Sequence, residues 1–303
     1  MSKAKVKNNK RIAARGKPLH IAVSVQLRYT TPILKLVKQM SDETSRELTD
    51  LFHKEFAQDH FYARTGERVG MDAKSVSSQA RILVNKLKKN YDQLFGKLAM
   101  GLSPDMANGV NRNSASTSRA AVGAMPSLKE EGGKLTISMK LLDGPTLDIL
   151  KAAAAKSTSF ITSIPEVYLN KVADAVYGSI ANGNGLKDLL PFLDKQENSI
   201  KNWAHNTAMD QTRKVYNGLN AGRMKKIGIT RGEWLHSGGS QHPRELHEEF
   251  DGQTFDLSVG APIGDDDGND VMPGEEPNCR CTFAPVVVFD DEDDEEEAKE
   301  AAD

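Results

Sequence analysis

A chain of 303 residues, 38% of them hydrophobic, is long for a single core and suits about two domains. It has no apolar run of about 18 residues, which argues against a helical membrane span, and its basic N-terminus lacks the apolar core of a secretory signal. With two cysteines there is no disulfide scaffold, and a bridge across their C-x-C spacing would be strained. The chain reads as a soluble protein kept in the cytosol with reduced thiols.

The formal net charge of −2 conceals a strong polarity. Residues 1–17 hold seven Lys or Arg and no acid, whereas residues 290–303 hold ten Asp or Glu and one lysine, Lys299. Without that tail, 39 basic side chains stand against 32 acidic ones. The composition predicts a disordered basic arm over 1–17 and a disordered acidic tail over 290–303, serving either solubility or interaction.

Between these ends, residues 20–29 alternate weakly before Pro32 and read as a strand or as an extended arm. From Pro32 the pattern turns helical, with Ile33, Leu36, Val37, Met40, Leu48, Leu51, Phe52 and Phe56 at steps of three and four. A break is predicted at Gly66 and Gly70. A second stripe then runs through Ala80, Val84, Leu87, Tyr91, Leu94 and Leu98, which predicts an antiparallel helical hairpin. Residues 101–133, rich in Gly, Ser, Ala and Asn, read as a linker with at most one short helix, so 18–133 is a helical region with a linker.

Residues 134–289 read as an α+β domain. Residues 134–142 alternate as one strand, a helix follows from Pro145 through the alanines 152–155, and another spans 165–180, ended by Gly183 and Gly185. No phosphate loop accompanies those glycines. Residues 194–226 form the longest predicted helix. Its lysines and arginines suit a solvated face and a helix C-terminus better than a nucleic-acid track. Trp203, isolated from other aromatics, is expected to anchor a core.

The chemistry concentrates downstream. Trp234, the H-P-R of 242–244, His247, Asp251-Gly252, Pro273-Gly274 and the N-C-R-C of 278–281 follow one another in order. Both cysteines of the protein, Cys279 and Cys281, lie here, with His236, His242 and His247 close upstream. Two readings stay open. His247, Cys279 and Cys281 are zinc-type ligands, with His242 or His236 available as a fourth. Alternatively both thiols are small buried side chains beside a buried histidine, which a C-x-C spacing and a count of two favour, so that no cofactor is held. Arg244 and Arg280 are expected to fork onto a carboxylate such as Asp251 and pin loops, rather than to bind phosphate. Asp251-Gly252 suits a turn between two short strands, and Pro273-Gly274 another turn. The acidic run at 264–270 lacks the register of a calcium loop. Neither H-E-x-x-H nor G-x-S-x-G is present, so a catalytic use of His242, His247, Glu248 and Asp251 is the minor reading.

This ordered set resembles the C-terminal signature of the Mu F-like family of phage head morphogenesis proteins, also called minor head or minor capsid proteins, and covers roughly residues 195–289. The lead-in A-x-x-x-A-x-D-Q-T-R at 204–213 is similar too. The resemblance implies an α+β fold with a mainly helical N-terminal region and a small loop-rich C-terminal domain of a few short strands. It implies a virion component in the capsid interior or portal region, present in the host cytoplasm during assembly. The implied partners are the portal protein, other head proteins and double-stranded DNA during packaging or ejection, with no membrane. Rival classes are a metal-dependent nuclease or toxin-like enzyme built on the same residues, and a plain DNA-binding protein.

Overall fold

The structure is a computed structural model that describes residues 12–65, 76–125, 144–182, 186–238, 243–265 and 268–288. In chain order it contains β1 (Ile12–Arg15), α1 (Val23–Thr65), α2 (Val76–Val122), α3 (Gly144–Ala181) and α4 (Leu186–Lys226). There follow β2 (Arg231–Leu235), the short α5 (Glu245–Glu249), β3 (Thr254–Asp256), β4 (Ala261–Pro262), β5 (Asp270–Val271) and β6 (Thr282–Val288). The class is the expected one: long helices lead, and a few short antiparallel strands close the chain. No described helix is long and apolar enough to cross a membrane.

The chain divides into two compact units, one built from 26–106 and 153–209, the other from 1–25, 107–152 and 210–303. These interleave in sequence and do not follow a boundary at residue 133. The first unit is all helical. Its core is drawn from Tyr29, Ile33, Val37, Met40 and Leu48 on α1, Ala80, Val84, Leu87, Tyr91 and Phe95 on α2, and Ile161, Ile164, Tyr168 and Val172 on α3. Each set recurs at three or four residues, with buried Thr44 filling the step from Met40 to Leu48, so one stripe per helix leaves water. Tyr91 Oη donates to Glu43 at 2.6 Å, while Tyr29 and Ser103 both meet Ser157 Oγ, at 2.8 and 2.9 Å. Those two links make α1 and α2 antiparallel, as the stripes predict; the connection at 66–75 lies outside the described residues.

The second unit carries a four-stranded antiparallel sheet in the order β1-β6-β2-β3 and the two-stranded β4-β5. Trp234, Phe255 and Phe283 pack edge to face inside it, with Trp234–Phe255 and Phe255–Phe283 centroids 5.8 and 5.9 Å apart. Gly232 is required there, because a Cβ would press on Phe283, Leu257 and Phe255 at 3.0 to 3.1 Å. Pro285 sits in a central strand, where a missing N–H is normally costly. Its carbonyl accepts from Gly16 N just beyond the end of β1, so the ladder is already ending on that side.

Several expectations give way. Residues 12–15 of the basic arm are a strand paired with β6, and residues 1–11 lie outside the described residues. Residues 20–29 are not a strand, since α1 begins at Val23 and Pro32 lies inside it. The linker at 101–133 is helical as far as Val122. Its buried stripe is Ser103, Ala107, Val110, Ser114, Ser118 and Ala121, small residues whose burial composition conceals. Helices 145–155 and 165–180 are one element with Pro165 inside, carried across by the buried series Ile161, Ile164, Tyr168 and Val172. α4 begins at Leu186, eight residues before the predicted start, and at 41 residues it is shorter than α1 and α2, with 43 and 47. Its cations are dispersed: Lys201 pairs with Glu197, Arg213 with Asp210, and Arg223 reaches Ser114 and Asn111. Trp203 is 37% exposed, resting edge-on against Phe160, rather than a core anchor. The predicted strand at 134–142, the glycines 183–185 and the acidic tail lie outside the described residues.

Candidate metal centre

Two consecutive turns deliver the cysteines. In Met272–Glu275 the Glu275 N–H donates to Met272 O at 3.0 Å, with Pro273 second and Gly274 third at φ +75°. In Glu276–Cys279 the Cys279 N–H donates to Glu276 O at 3.1 Å, with Pro277 second and Asn278 third at φ +60°. Proline followed by a residue of positive φ is the type II pattern, which needs Gly or Asn at the third place. The run P-G-E-E-P-N-C is therefore a double turn written in sequence. Asn217 on α4 holds it, donating Nδ2–H to Pro273 O at 2.6 Å, and Asp210 Oδ2 accepts the Asn278 N–H at 2.8 Å.

His247 arrives from α5. The expected Asp251-Gly252 turn is present but joins α5 to β3 rather than two strands, with Gly252 at φ +77°. Asp251 Oδ1 accepts the His236 N–H at 2.8 Å, and Gly252 N donates to Trp234 O at 2.9 Å, so the turn ties α5 to β2. Trp234, fully buried, stands edge-on to the His247 ring at 5.1 Å and fixes its plane.

His247, Cys279 and Cys281 are each 3% exposed, and both thiols are free. His247 Nδ1 lies 3.6 Å from Cys279 Sγ and 3.7 Å from Cys281 Sγ, and the three atoms all fall within 4.8 Å of one another. On the other side of the ring, His247 Nε2 is 2.9 Å from Glu276 Oε2, close but poorly aligned for a hydrogen bond. Arg244 backs that carboxylate at 3.4 Å and holds Asp265 through Nε at 2.8 and 2.9 Å. Its Nη2 donates to Pro277 O at 3.0 Å.

The sulfurs share their protons unequally. The Cys281 S–H, donating to Cys279, draws the Cys279 thiol well below its ordinary value against the opposition of burial, helped by His247 and by the backbone at Cys281 and Gly274. Cys281 is pushed up, first as that donor and then by burial. Burial opposes a charge on His247, yet the Cys279 thiolate and Glu276 outweigh it and raise the ring above its ordinary value.

The structure thus brings together His247, Cys279 and Cys281, with Trp234 against the ring and Asp251, Gly252, Pro273, Gly274 and Asn278 shaping the loops. His242 lies outside the described residues, and half-buried His236 lines a small cavity beside the cluster. The expected fork to Asp251 is not made: Arg244 turns to Asp265 and Glu276 because Asp251 is engaged by the backbone of His236. Arg280 is exposed and makes no ion pair among the described residues. Sequence reasoning missed Glu276, Asp265, Asp210 and Asn217. Two of them left a signal: Asp210 as the aspartate of the D-Q-T-R lead-in, and Glu276 as the first residue of the second turn.

Residues 170–284 match the family described as Phage Mu protein F like protein. An uncharacterized protein of Haemophilus influenzae (strain Rd) is 27% identical over 283 residues, which cover 93% of this chain and 58% of the relative. The chain thus spans less than two thirds of that relative's length. No solved structure matches. Residues 170–284 are thus similar to the family described as Phage Mu protein F like protein, over the stretch that holds the cluster.

Proposed function

We propose that the protein is a minor component of a phage head, seated at the portal, where it assists DNA packaging or ejection. The observation that carries this reading is the family match over 170–284, which coincides with the ordered signature from Trp234 to Cys281. The other features suit the role. The sequence carries a basic block over 1–17 and an acidic block over 290–303, charge runs suited to contacts with neighbours or DNA.

The reading is tested on heads assembled with and without this chain. The protein should be found in purified heads by mass spectrometry, in a copy number far below that of the major shell protein. It should also be retained by immobilised portal protein of the same phage. Heads that lack the chain should form but package or deliver less DNA. Its absence from purified heads, with no retention by the portal, would overturn the reading.

A further inference from the structure

We propose that His247, Cys279 and Cys281 bind one zinc ion, through His247 Nδ1 and the two sulfurs, with solvent in the fourth position. The distances carry the first part. Zinc lies about 2.3 Å from sulfur and about 2.05 Å from imidazole nitrogen, so a tetrahedral S–Zn–N angle sets the S···N edge at about 3.6 Å. The two edges here are 3.6 and 3.7 Å. Nδ1 stands at nearly the same length from both sulfurs, where a single S–H···N or N–H···S bond would favour one of them. Two nearly equal edges fit a shared metal better.

The surroundings point the same way. Glu276 Oε2 stands 2.9 Å from Nε2, out of line for a hydrogen bond, and its charge favours the ring proton on that side, which leaves Nδ1 toward the sulfurs for a metal. Trp234 Nε1 is buried beside the His247 ring without an aligned acceptor, a donor that a thiolate of the cluster would satisfy. Both sulfurs are themselves 3% exposed, and two buried thiolates would be costly without a cation. On binding, the cluster gives up two protons to solvent, and two S⁻ and a neutral imidazole balance Zn²⁺. Two thiolates and one imidazole select zinc over magnesium or calcium.

The same three residues line a cavity of about 30 Å³ that His236 also borders. That is room for one water-sized ligand. The metal would join α5, the double turn and the start of β6 in one knot, independent of whether the chain enters a phage head.

The test uses the full chain, purified without a histidine tag or chelator. Elemental analysis should find about one zinc per chain. His247→Ala and Cys281→Ala should lose it, whereas His236→Ala should keep it. Co²⁺ exchanged into the parent should show tetrahedral d–d bands and a thiolate charge-transfer band. Should the variants fail to fold, thiol labelling of the folded parent decides: both cysteines should be protected until a chelator is added. A folded parent that takes up no zinc from excess, with thiols labelled equally with and without chelator, would overturn the site. Loss of zinc from folded His236→Ala would overturn solvent as the fourth ligand.

Discussion

Arg15 on β1 reaches across β6 to Glu233 on β2, its Nε and Nη2 donating to the two carboxylate oxygens at 2.6 and 2.9 Å. The pair spans 218 residues and clamps the N-terminal strand to the C-terminal sheet. Arg15 is 43% exposed, so solvent screens the bond, and Arg15→Ala should cost about 1 kcal/mol or less. Deleting residues 1–15 removes the strand itself, its ladder bonds and the buried Ala14. That should cost about 2–4 kcal/mol in denaturant unfolding. A truncated chain as stable as the parent would show that β1 does not hold the sheet.

The double turn makes a sharper prediction. Asn278 stands at φ +60°, where glycine fits freely and alanine is strained. Asn278→Gly should therefore leave stability nearly unchanged, while Asn278→Ala should cost about 1 kcal/mol in urea titration. Gly274→Ala should cost more, since its Cβ would also meet Asn217 Nδ2 at 2.9 Å. Equal stability of all three variants would contradict the turn assignment.

Alkaline unfolding should run through the buried tyrosines of the helical unit. Burial, partly offset by the bond with Ser157, pushes Tyr29 up to about 12, from an ordinary value of about 10. Its folded value is raised above the unfolded one. Its contribution to stability is thus complete below pH about 10 and lost as pH rises towards about 12. Tyr91 and Tyr168 are also raised, chiefly by burial, and add to the loss at higher pH. Tyr29→Phe should be less stable at neutral pH by about 1 kcal/mol, having lost the Ser157 bond, yet should lose less between pH about 10 and about 12. Chemical denaturation at pH 8, 10 and 12 reads both effects, and an unchanged slope would contradict them.

The sequence made some of this legible, and physics says why the rest was not. Large apolar residues at helical spacing, such as Ile33, Val37 and Met40 or Val84, Leu87 and Tyr91, revealed the two long helices. The continuation of α2 stayed hidden because its buried face is Ser103, Ala107, Ser114 and Ser118, residues equally at home in a loop. β1 could not be read from four residues whose partner lies near residue 287, since pairing at that range leaves no local pattern. In the candidate site the residue types and order were visible. That Glu276 would stand behind His247, and that Asp251 would serve a backbone N–H instead of an arginine, depends on how two turns and a short helix meet. A C-x-C spacing favoured plain core thiols, and it took the separations from a single histidine nitrogen to argue for a metal.

Zinc K-edge X-ray absorption on the purified full chain tests the central claim most directly. The account predicts a first shell of two sulfurs at about 2.3 Å with nitrogen and oxygen neighbours at about 2.0–2.1 Å, and loss of the sulfur shell on Cys279→Ala with Cys281→Ala. A shell made only of nitrogen and oxygen, or no zinc in folded protein, would contradict it.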